Sequence, residues 1–327
     1  MDRISNLPND LLQGILLHLR STPAAARTSA LSRRWRRVWA SLPDLVLADD
    51  VIHHRASFFD TVDEALAASL SVRLRALEII VPYRCQNVPA VRVAAWLLFA
   101  SRRLASEINL CVPFSADDPP QGEIELPPFE LATSMALVLG NQYILRPPPT
   151  GVFTALADLD IGQATLDGRA LEVLVSSQCP RLEKLTLLYV RLVKESDVSI
   201  SSASLRRLTF YVWHTRCLNV AAPNLRELDA SLAADVRVAA PSLTELVLGC
   251  TIGKFFFADP AVRHLRRLEL THSWTVMAPL MRWLDMVDEL RLYTPVVRIH
   301  AWILSFLHIR LIDRSLFFFF LNWTDHT

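Results

Sequence analysis

A short leucine frame returns along most of this chain, and it limits the possible folds more than any other feature. The frame reads LxxLxL, or a close variant with another small or apolar residue in place of a leucine. Ten copies, spaced 18 to 31 residues apart, begin at Leu74, Ala105, Ser134, Leu156, Leu182, Leu205, Leu225, Leu243, Leu265 and Val287. Self-similarity at a period of about 20 to 50 residues is typical of repeat architectures. The sequence therefore predicts a stack of similar units.

The end of each frame has the side-chain pattern of a β-strand. In Leu185-Thr186-Leu187 the leucines point to one side and the threonine to the other, because successive side chains alternate along a strand. One such strand cannot bury its apolar side alone, so neighbouring units must stack around a continuous core. Pro180, Pro223 and Pro241 stand just before three frames, where they end the preceding element. We predict an α/β fold over residues 74–293, a leucine-rich-repeat solenoid with a parallel sheet on its concave face.

Residues 1–47 follow a different pattern, with apolar residues at helical spacing. They form two groups: Leu7, Leu11, Leu12, Ile15, Leu16 and Leu19, then Leu31, Trp35, Val38 and Trp39. This predicts a small all-α module of two amphipathic helices, with Pro8 in the first turn and a break at 21–23. A module of this size is too small to bury all this apolar surface internally. We therefore expect a partner to cover the rest. Residues 48–73 are predicted to form a helical linker or N-terminal cap of the solenoid.

No further frame occurs in residues 294–327, which are rich in phenylalanine. Arg298, Arg310, Asp313 and Arg314 interrupt this stretch. A charge at the centre of a membrane span costs about 2.5 to 3.5 kcal/mol on insertion scales. We therefore expect an irregular or helical hydrophobic tail and no membrane partner.

Composition narrows the class of partner. With 34 basic and 33 acidic residues, the formal net charge is +1, so no overall positive charge favours nucleic acid, and a protein is the expected partner. Five scattered cysteines without a CxxC pair indicate neither a disulfide framework nor a zinc site. The first residues reach polar side chains at once, without the apolar stretch of a secretory signal, so we expect a cytoplasmic and/or nuclear location.

Two blocks near the start carry a family resemblance. Residues 2–12, DRISNLPNDLL, followed by residues 27–39, RTSALSRRWRRVW, resemble the F-box of plant F-box proteins of the leucine-rich-repeat type. Residues 179–187, CPRLEKLTL, are similar to the repeats that follow the F-box in that family, and the likeness extends to about residue 293.

The resemblance implies a substrate-recognition subunit of an SCF-type cullin-RING ubiquitin ligase. In that family the F-box docks on a Skp-type adaptor and through it on a cullin, and the repeats hold a target protein, here unknown. The positions that match the docking pattern are Leu7, Pro8, Leu11, Leu12, Ile15, Leu16, Leu31, Trp35, Val38 and Trp39.

Outward-pointing positions of the frames are the candidate target-binding residues. They carry both signs of charge and two tyrosines, a mixture that suits a protein surface. They are Lys184, Thr186, Arg207, Thr209, Tyr211, Glu227, Asp229, Glu245, Arg267, Glu269, Arg291 and Tyr293. For any one of them, ordinary solvated surface is the competing interpretation.

Catalytic and cofactor motifs are absent from the sequence. It contains no HExxH, GxGxxG, GxxxxGK[ST] or GxSxG pattern, so we expect no cofactor, no metal and no enzyme activity. The basic run 33–37 leaves its apolar residues on the other helix side, which predicts a solvated face without a nucleic-acid role.

A second hypothesis is a repeat scaffold outside ubiquitination, in which the N-terminal helices merely cap the solenoid. A third, an enzyme on a repeat scaffold, would need a deep pocket with convergent titratable groups.

Overall fold

The structure, a computed structural model, describes residues 7–48, 57–85, 87–115, 120, 122–249, 252–257, 264–271 and 287–293. The helices are α1 (Asn9–Leu17), α2 (Thr22–Arg27), α3 (Arg33–Ala40), α4 (Phe58–Ala68), α5 (Ala90–Arg103) and α6 (Gly168–Val173). The strands are β1 (Asp44–Leu47), β2 (Leu74–Ile80), β3 (Leu104–Cys111), β4 (Gly122–Glu125), β5 (Ser134–Val138), β6 (Tyr143–Arg146), β7 (Asp158–Gly162), β8 (Thr165–Leu166), β9 (Lys184–Ser201), β10 (Arg207–Ala221), β11 (Glu227–Ala239), β12 (Glu245–Leu248), β13 (Lys254–Phe257), β14 (Arg267–Thr271) and β15 (Glu289–Tyr293). The tail predicted for residues 294–327 lies outside the described residues.

The N-terminal module contains three α-helices and a short 3-10 helix (Thr28–Ala30) where the sequence pattern predicted two helices. The segment taken as a break begins α2: Ser21 accepts a hydrogen bond from the Ala24 amide at 3.3 Å, and Pro23 occupies the first turn. A serine cap and an early proline favour the start of a helix, and the alanines that follow have high helix propensity. Residues 21–23, which were predicted to separate two helices, therefore begin helix α2.

The module has a core of its own. Its buried apolar side chains form a cluster separate from the core of the repeats: Leu12, Leu16, Ala25, Trp35, Val38, Trp39, Ala40 and Leu42. Trp39 also donates from its indole Nε1 to the Ser29 hydroxyl at 2.7 Å. The helices thus pack on each other around the two tryptophans.

The repeats form a long parallel sheet, which we call the front sheet. Its order is β1-β2-β3-β5-β7-β9-β10-β11-β12-β14-β15, in which β9, β10 and β11 contribute their first halves. Just before the strands, an amide of each unit from β7 onward donates to a carbonyl of the preceding unit; examples are Arg226 to Arg206 and Thr244 to Arg226, at 2.8 and 2.9 Å. The predicted solenoid with a parallel sheet is confirmed.

The leading leucine of the frame closes the core as expected. Leu156, Leu182, Leu205, Leu225 and Leu243 are at most 1% exposed. The inward leucines of the strands join them in one cluster that extends from Leu45 to Leu270. Because each unit covers the apolar side of its neighbour, the core is continuous along the stack.

The sheet begins one strand earlier than predicted. Strand β1 lies inside the segment predicted as purely helical, and it pairs in parallel with β2 through Asp44 to Ala76 and Leu47 to Ile79. Leu45 and Leu47 are buried in the core of the repeats. The full frame is present here as LPDLVL, with Leu42, Leu45 and Leu47, but these residues were assigned to the helical module.

A second set of parallel strands, which we call the back sheet, was not predicted. It contains β4, β6 and β8, the second halves of β9, β10 and β11, and β13. Its inward side chains, such as Val198, Val220, Val238 and Phe255, belong to the same core as the front leucines. Each of these units therefore contributes one strand to the front sheet and one strand to the back sheet.

No helix in the described ranges is long and apolar enough to span a membrane.

Candidate interaction surfaces

An apolar stripe lies on the outer side of α1 and its C-terminal end. Leu11, Ile15 and Leu19 follow one another at four-residue spacing and are 57%, 47% and 46% exposed. Leu31, just before α3, is 68% exposed. Residues four apart lie on one side of a helix, so Leu11 and Ile15 of α1 and Leu19, two residues beyond its end, follow the same side. We call these four residues the apolar stripe.

The ten predicted adaptor-binding residues divide into two groups. Pro8, Leu11, Ile15 and Leu31 are exposed, and Leu7 is half-buried. The other five are buried in the module's core: Leu12, Leu16, Trp35, Val38 and Trp39. The amphipathic pattern identified all of them as apolar but could not tell which would be covered by the chain itself. Leu19 was left out of the prediction although its spacing from Ile15 places it on the stripe.

One arginine of the basic run has a structural role that the sequence did not indicate. Arg34 donates from Nε to the Asn9 side-chain oxygen at 2.9 Å and from its second guanidinium nitrogen to the Leu7 carbonyl. These bonds attach the start of α1 to α3. Arg33, Arg36 and Arg37 are exposed, in agreement with the predicted solvated face.

The outward side chains of the front sheet form two long rows, which we call the front face. Strand register places them in line across successive strands. The first row contains Asp44, Ala76, Glu107, Ser134, Asp158, Lys184, Arg207, Glu227, Glu245, Arg267 and Glu289. The second row contains Val46, Glu78, Asn109, Ala136, Asp160, Thr186, Thr209, Asp229, Val247, Glu269 and Arg291.

All twelve predicted target-binding positions lie on strands of the front sheet. Ten belong to the two rows, Tyr211 occupies the next outward position on β10, and Tyr293 is the last residue of β15. Thr186 is only 8% exposed, so it offers little surface to a partner. Sequence alternation therefore placed these positions on the front sheet, and their contact with a target stays a prediction.

Ion pairs connect neighbours along the first row. Lys184 lies 3.1 Å from Asp158, and Arg267 bridges Glu245 at 2.9 Å and Glu289 at 2.8 Å. These groups are partly exposed, so each pair contributes little to stability, on the order of 0 to 1 kcal/mol. They do neutralise most of the basic side chains of the face locally.

A tyrosine cluster lies beside the second row. The Tyr211 hydroxyl donates to both carboxylate oxygens of Asp229, at 3.0 and 3.1 Å. The Tyr189 ring lies 6.3 Å from the Tyr211 ring in an edge-to-face arrangement and is 54% exposed. Tyr189 has a φ of +55°, at the bulge where β9 leaves the front sheet, so strand alternation could not predict its position.

Burial changes the acidity of the carboxyl groups in the second row. It raises the pKa of Asp229, although the Tyr211 hydrogen bond opposes the shift, and it also raises the pKa of Asp160. Partial desolvation disfavours the charged form of both groups. A positively charged partner would relieve this cost.

Neither cysteines nor cavities in the described ranges resemble a reaction centre. Cys85, Cys111, Cys179 and Cys217 are free thiols, and burial raises the pKa of Cys179 to about 12. No group of three or more potential ligands there is placed to hold a metal ion. An open cavity of about 310 Å³ between the helical module and β1 is lined by apolar side chains such as Leu16 together with Arg20, Asp44 and Glu78.

Comparison with protein families agrees with this division of the chain. The F-box domain model matches residues 4–47. The model described as "FBD-associated F-box protein At5g56370, LRR repeats" matches residues 93–251. The first match therefore includes the helical module with β1, and the second lies within the repeats.

Similar proteins come from Arabidopsis thaliana. The F-box/LRR-repeat protein At3g59200 is 33% identical, in an alignment that covers 70% of this chain and 46% of the relative. The F-box/LRR-repeat protein At2g42720 is 30% identical, with 76% and 57% covered. The chain spans about half the length of these relatives. With an F-box module at its start and leucine-rich repeats behind it, the chain belongs to the F-box proteins with leucine-rich repeats.

Proposed function

We propose that this chain is the substrate-recognition subunit of an SCF-type cullin-RING ubiquitin ligase. The helical module binds a Skp-type adaptor and through it a cullin, while the front face holds a target protein. The observation that carries the proposal is the apolar stripe on a module whose own core is already complete.

The stripe is unusual for a surface that stays in water. Four large aliphatic side chains remain about half exposed or more within a module of some forty residues. Burying such a side chain completely contributes about 1.5 to 3 kcal/mol, so covering the stripe would yield substantial binding energy. Contiguous exposed apolar patches commonly mark protein interaction sites.

A purely capping role for the helices is less well supported. Helices that only cap the repeats would bury Trp35 and Trp39 against the Leu74 unit. Both tryptophans instead lie in the module's separate core, and the stripe faces solvent. The module is thus built as a unit that presents a surface of its own.

The proposed role needs no catalytic residue in this chain. A receptor that holds a target beside a ubiquitin-loaded enzyme accelerates transfer by proximity, which raises the effective concentration of the reacting groups. We place this activity in the cytoplasm, the nucleus or both.

Capture of a purified Skp-type adaptor by the full chain tests the proposal. The double variant Ile15→Ser with Leu31→Ser should weaken adaptor binding at least tenfold, because it removes two exposed apolar contacts. Both positions are exposed, so the melting temperature should stay close to that of the unmodified chain.

The matched control is Leu70→Ser with Val72→Ser, which are 63% and 84% exposed outside the module. It removes a similar apolar area and should leave adaptor binding unchanged. Undiminished adaptor capture by the folded Ile15/Leu31 variant would exclude the stripe as the docking surface.

A further inference from the structure

The front face has a strong charge asymmetry that the balanced composition of the chain conceals. The described rows contain ten acidic residues: Asp44, Glu78, Glu107, Asp158, Asp160, Glu227, Asp229, Glu245, Glu269 and Glu289. Only four basic residues share them: Lys184, Arg207, Arg267 and Arg291. The whole chain has a net charge of +1, so its positive charge lies mainly elsewhere.

The second row contains carboxylates without a salt bridge, although the charge of Lys184 opposes the burial that raises the pKa of Asp160, and Arg291 is the register neighbour of Glu269. Lys184 and Arg267 are engaged with carboxylates of the first row, and Arg291 lies 2.6 Å from Glu289. Within the described ranges, Asp160, Asp229 and Glu269 form no salt bridge. Three carboxylates without a salt bridge therefore lie along one line of the sheet.

Aromatic rings lie next to this line. Tyr211 is bonded to Asp229, and the half-exposed Tyr189 packs against Tyr211. Trp213, 46% exposed, follows at the same bend of β10. Carboxylates beside exposed aromatic rings form an environment suited to guanidinium and ammonium groups, which bind both by charge and over ring faces.

We propose that the front face binds a basic, arginine- and lysine-rich segment of the target protein, with Asp160, Asp229 and Glu269 as ion-pair partners and Tyr189 as an aromatic contact. This deepens the proposed receptor function by assigning the chemistry of the target, and it rests on that function. Phosphate-bearing partners such as nucleic acid are disfavoured because the same carboxylates repel them.

The geometry sets the length of the segment. Asp160 and Asp229 are three strands apart and Asp229 and Glu269 are two strands apart. At a strand spacing of about 4.8 Å, the three carboxylates span roughly 24 Å. An extended chain covers that distance in about seven residues. A twelve-residue peptide is therefore long enough to reach all three.

Fluorescence anisotropy with the full chain tests this inference. The probe is a labelled twelve-residue peptide in which arginine and lysine alternate with serine and glycine. It should bind, and added salt should weaken the binding. The triple variant Asp160→Asn, Asp229→Asn and Glu269→Gln should reduce the affinity at least tenfold, and Tyr189→Asn should reduce it about threefold.

The control variant changes the net charge equally at a distance from the face. Glu64→Gln, Glu125→Gln and Glu130→Gln neutralise three exposed carboxylates on α4, β4 and a loop. If this control loses as much affinity as the triple variant, only net charge matters and the inference fails. Equal binding of a glutamate-rich peptide or of duplex DNA would also overturn it.

Adaptor capture separates this inference from the proposed function. The triple variant should bind the Skp-type adaptor as the unmodified chain does, because the apolar stripe is untouched. Loss of peptide binding with adaptor capture intact supports the assignment of the face. If the unmodified chain captures the adaptor but does not bind the basic peptide, the inference is wrong and the proposed function still stands.

Discussion

At the scale of single residues, the turn after β5 depends on an unusual backbone conformation. Gly140 has a φ of +60°, and a Cβ placed on it would lie 2.0 Å from the Pro113 carbonyl oxygen. The Gln142 side chain donates to the same carbonyl at 2.7 Å. Only glycine fits this position, because every other residue brings a Cβ into the backbone of the neighbouring unit.

Replacing Gly140 with alanine should therefore lower the free energy of unfolding. The left-handed conformation alone costs an L-residue about 1 to 2 kcal/mol, before the clash with Pro113 is counted. Denaturant unfolding measures the effect. Gly14→Ala is the control, because it lies inside α1 with no atom within 4 Å of its Cβ. It should be neutral or stabilise the chain by up to about 1 kcal/mol, and equal losses in both variants would refute this account.

The acidic residues of the front face predict a pH dependence. Burial raises the pKa of Asp229 in the folded protein. Because the charged form is disfavoured there, the contribution of Asp229 to stability falls as the pH rises through the pKa of the folded state. Relative to the unmodified chain, Asp229→Asn should therefore gain stability between about pH 3 and pH 7. Thermal melts at both pH values provide the measurement.

Asp197 provides a control of opposite sign. Its hydrogen bonds to Arg216 lower the pKa of the carboxyl, so its contribution to stability is present at neutral pH and lost in acid. Asp197→Asn should lose stability relative to the unmodified chain as the pH rises. The same trend in both variants would show that the local environments do not set these shifts.

At the scale of elements, the sequence predicted one sheet well and the other not at all. The front strands carry leucines at fixed positions, which alternation assigns to the core. The back strands lack a fixed leading leucine, and their buried residues vary in size from Val198 to Phe255. The sequence VAAP nevertheless occurs twice, beginning at Val220 and Val238, each time before a frame. This repeat indicates the back strands, but a search for leucines does not detect it. The exposure of the apolar stripe could not be predicted, because a periodic pattern does not say which body covers a side chain.

Helix α6 depends on a single capping side chain. Asp167 accepts hydrogen bonds from the Arg169 and Ala170 amides at 3.0 and 3.3 Å. Asp167→Ala should lower the free energy of unfolding by about 1 kcal/mol, because two amides of the first turn lose their acceptor. Asp167→Asn preserves an acceptor and should lose only a fraction of that value. Equal losses in the two variants would point to a cause other than the cap.

At the scale of the whole molecule, the helical module and the repeats share a strand. Strand β1 falls within the F-box match and yet hydrogen-bonds to β2. The Val46 amide also donates to the Thr22 hydroxyl of α2 at 2.8 Å. The boundary between the two parts therefore lies before β1 in structural terms, near Ser41.

Two truncations should behave differently for this reason. Removal of residues 1–41 keeps β1 and should leave folded repeats. Removal of residues 1–48 exposes the edge of β2 and the core side of the first unit, so we expect a lower melting temperature and aggregation. Size-exclusion chromatography with thermal melts distinguishes them. Similar behaviour of the two truncated chains would show that β1 is dispensable for the repeats.

The shared strand also fixes the distance of each front strand from the start of the repeats. Tyr211 lies on the seventh strand of the front sheet, six strand spacings from β1 and so roughly 29 Å along the sheet from the start of the repeats. On the proposed function, each unit inserted or deleted between them would move a captured target by one increment of about 4.8 Å. In the proposed receptor, the number of units would decide which lysines of a target come within reach of the transferring enzyme.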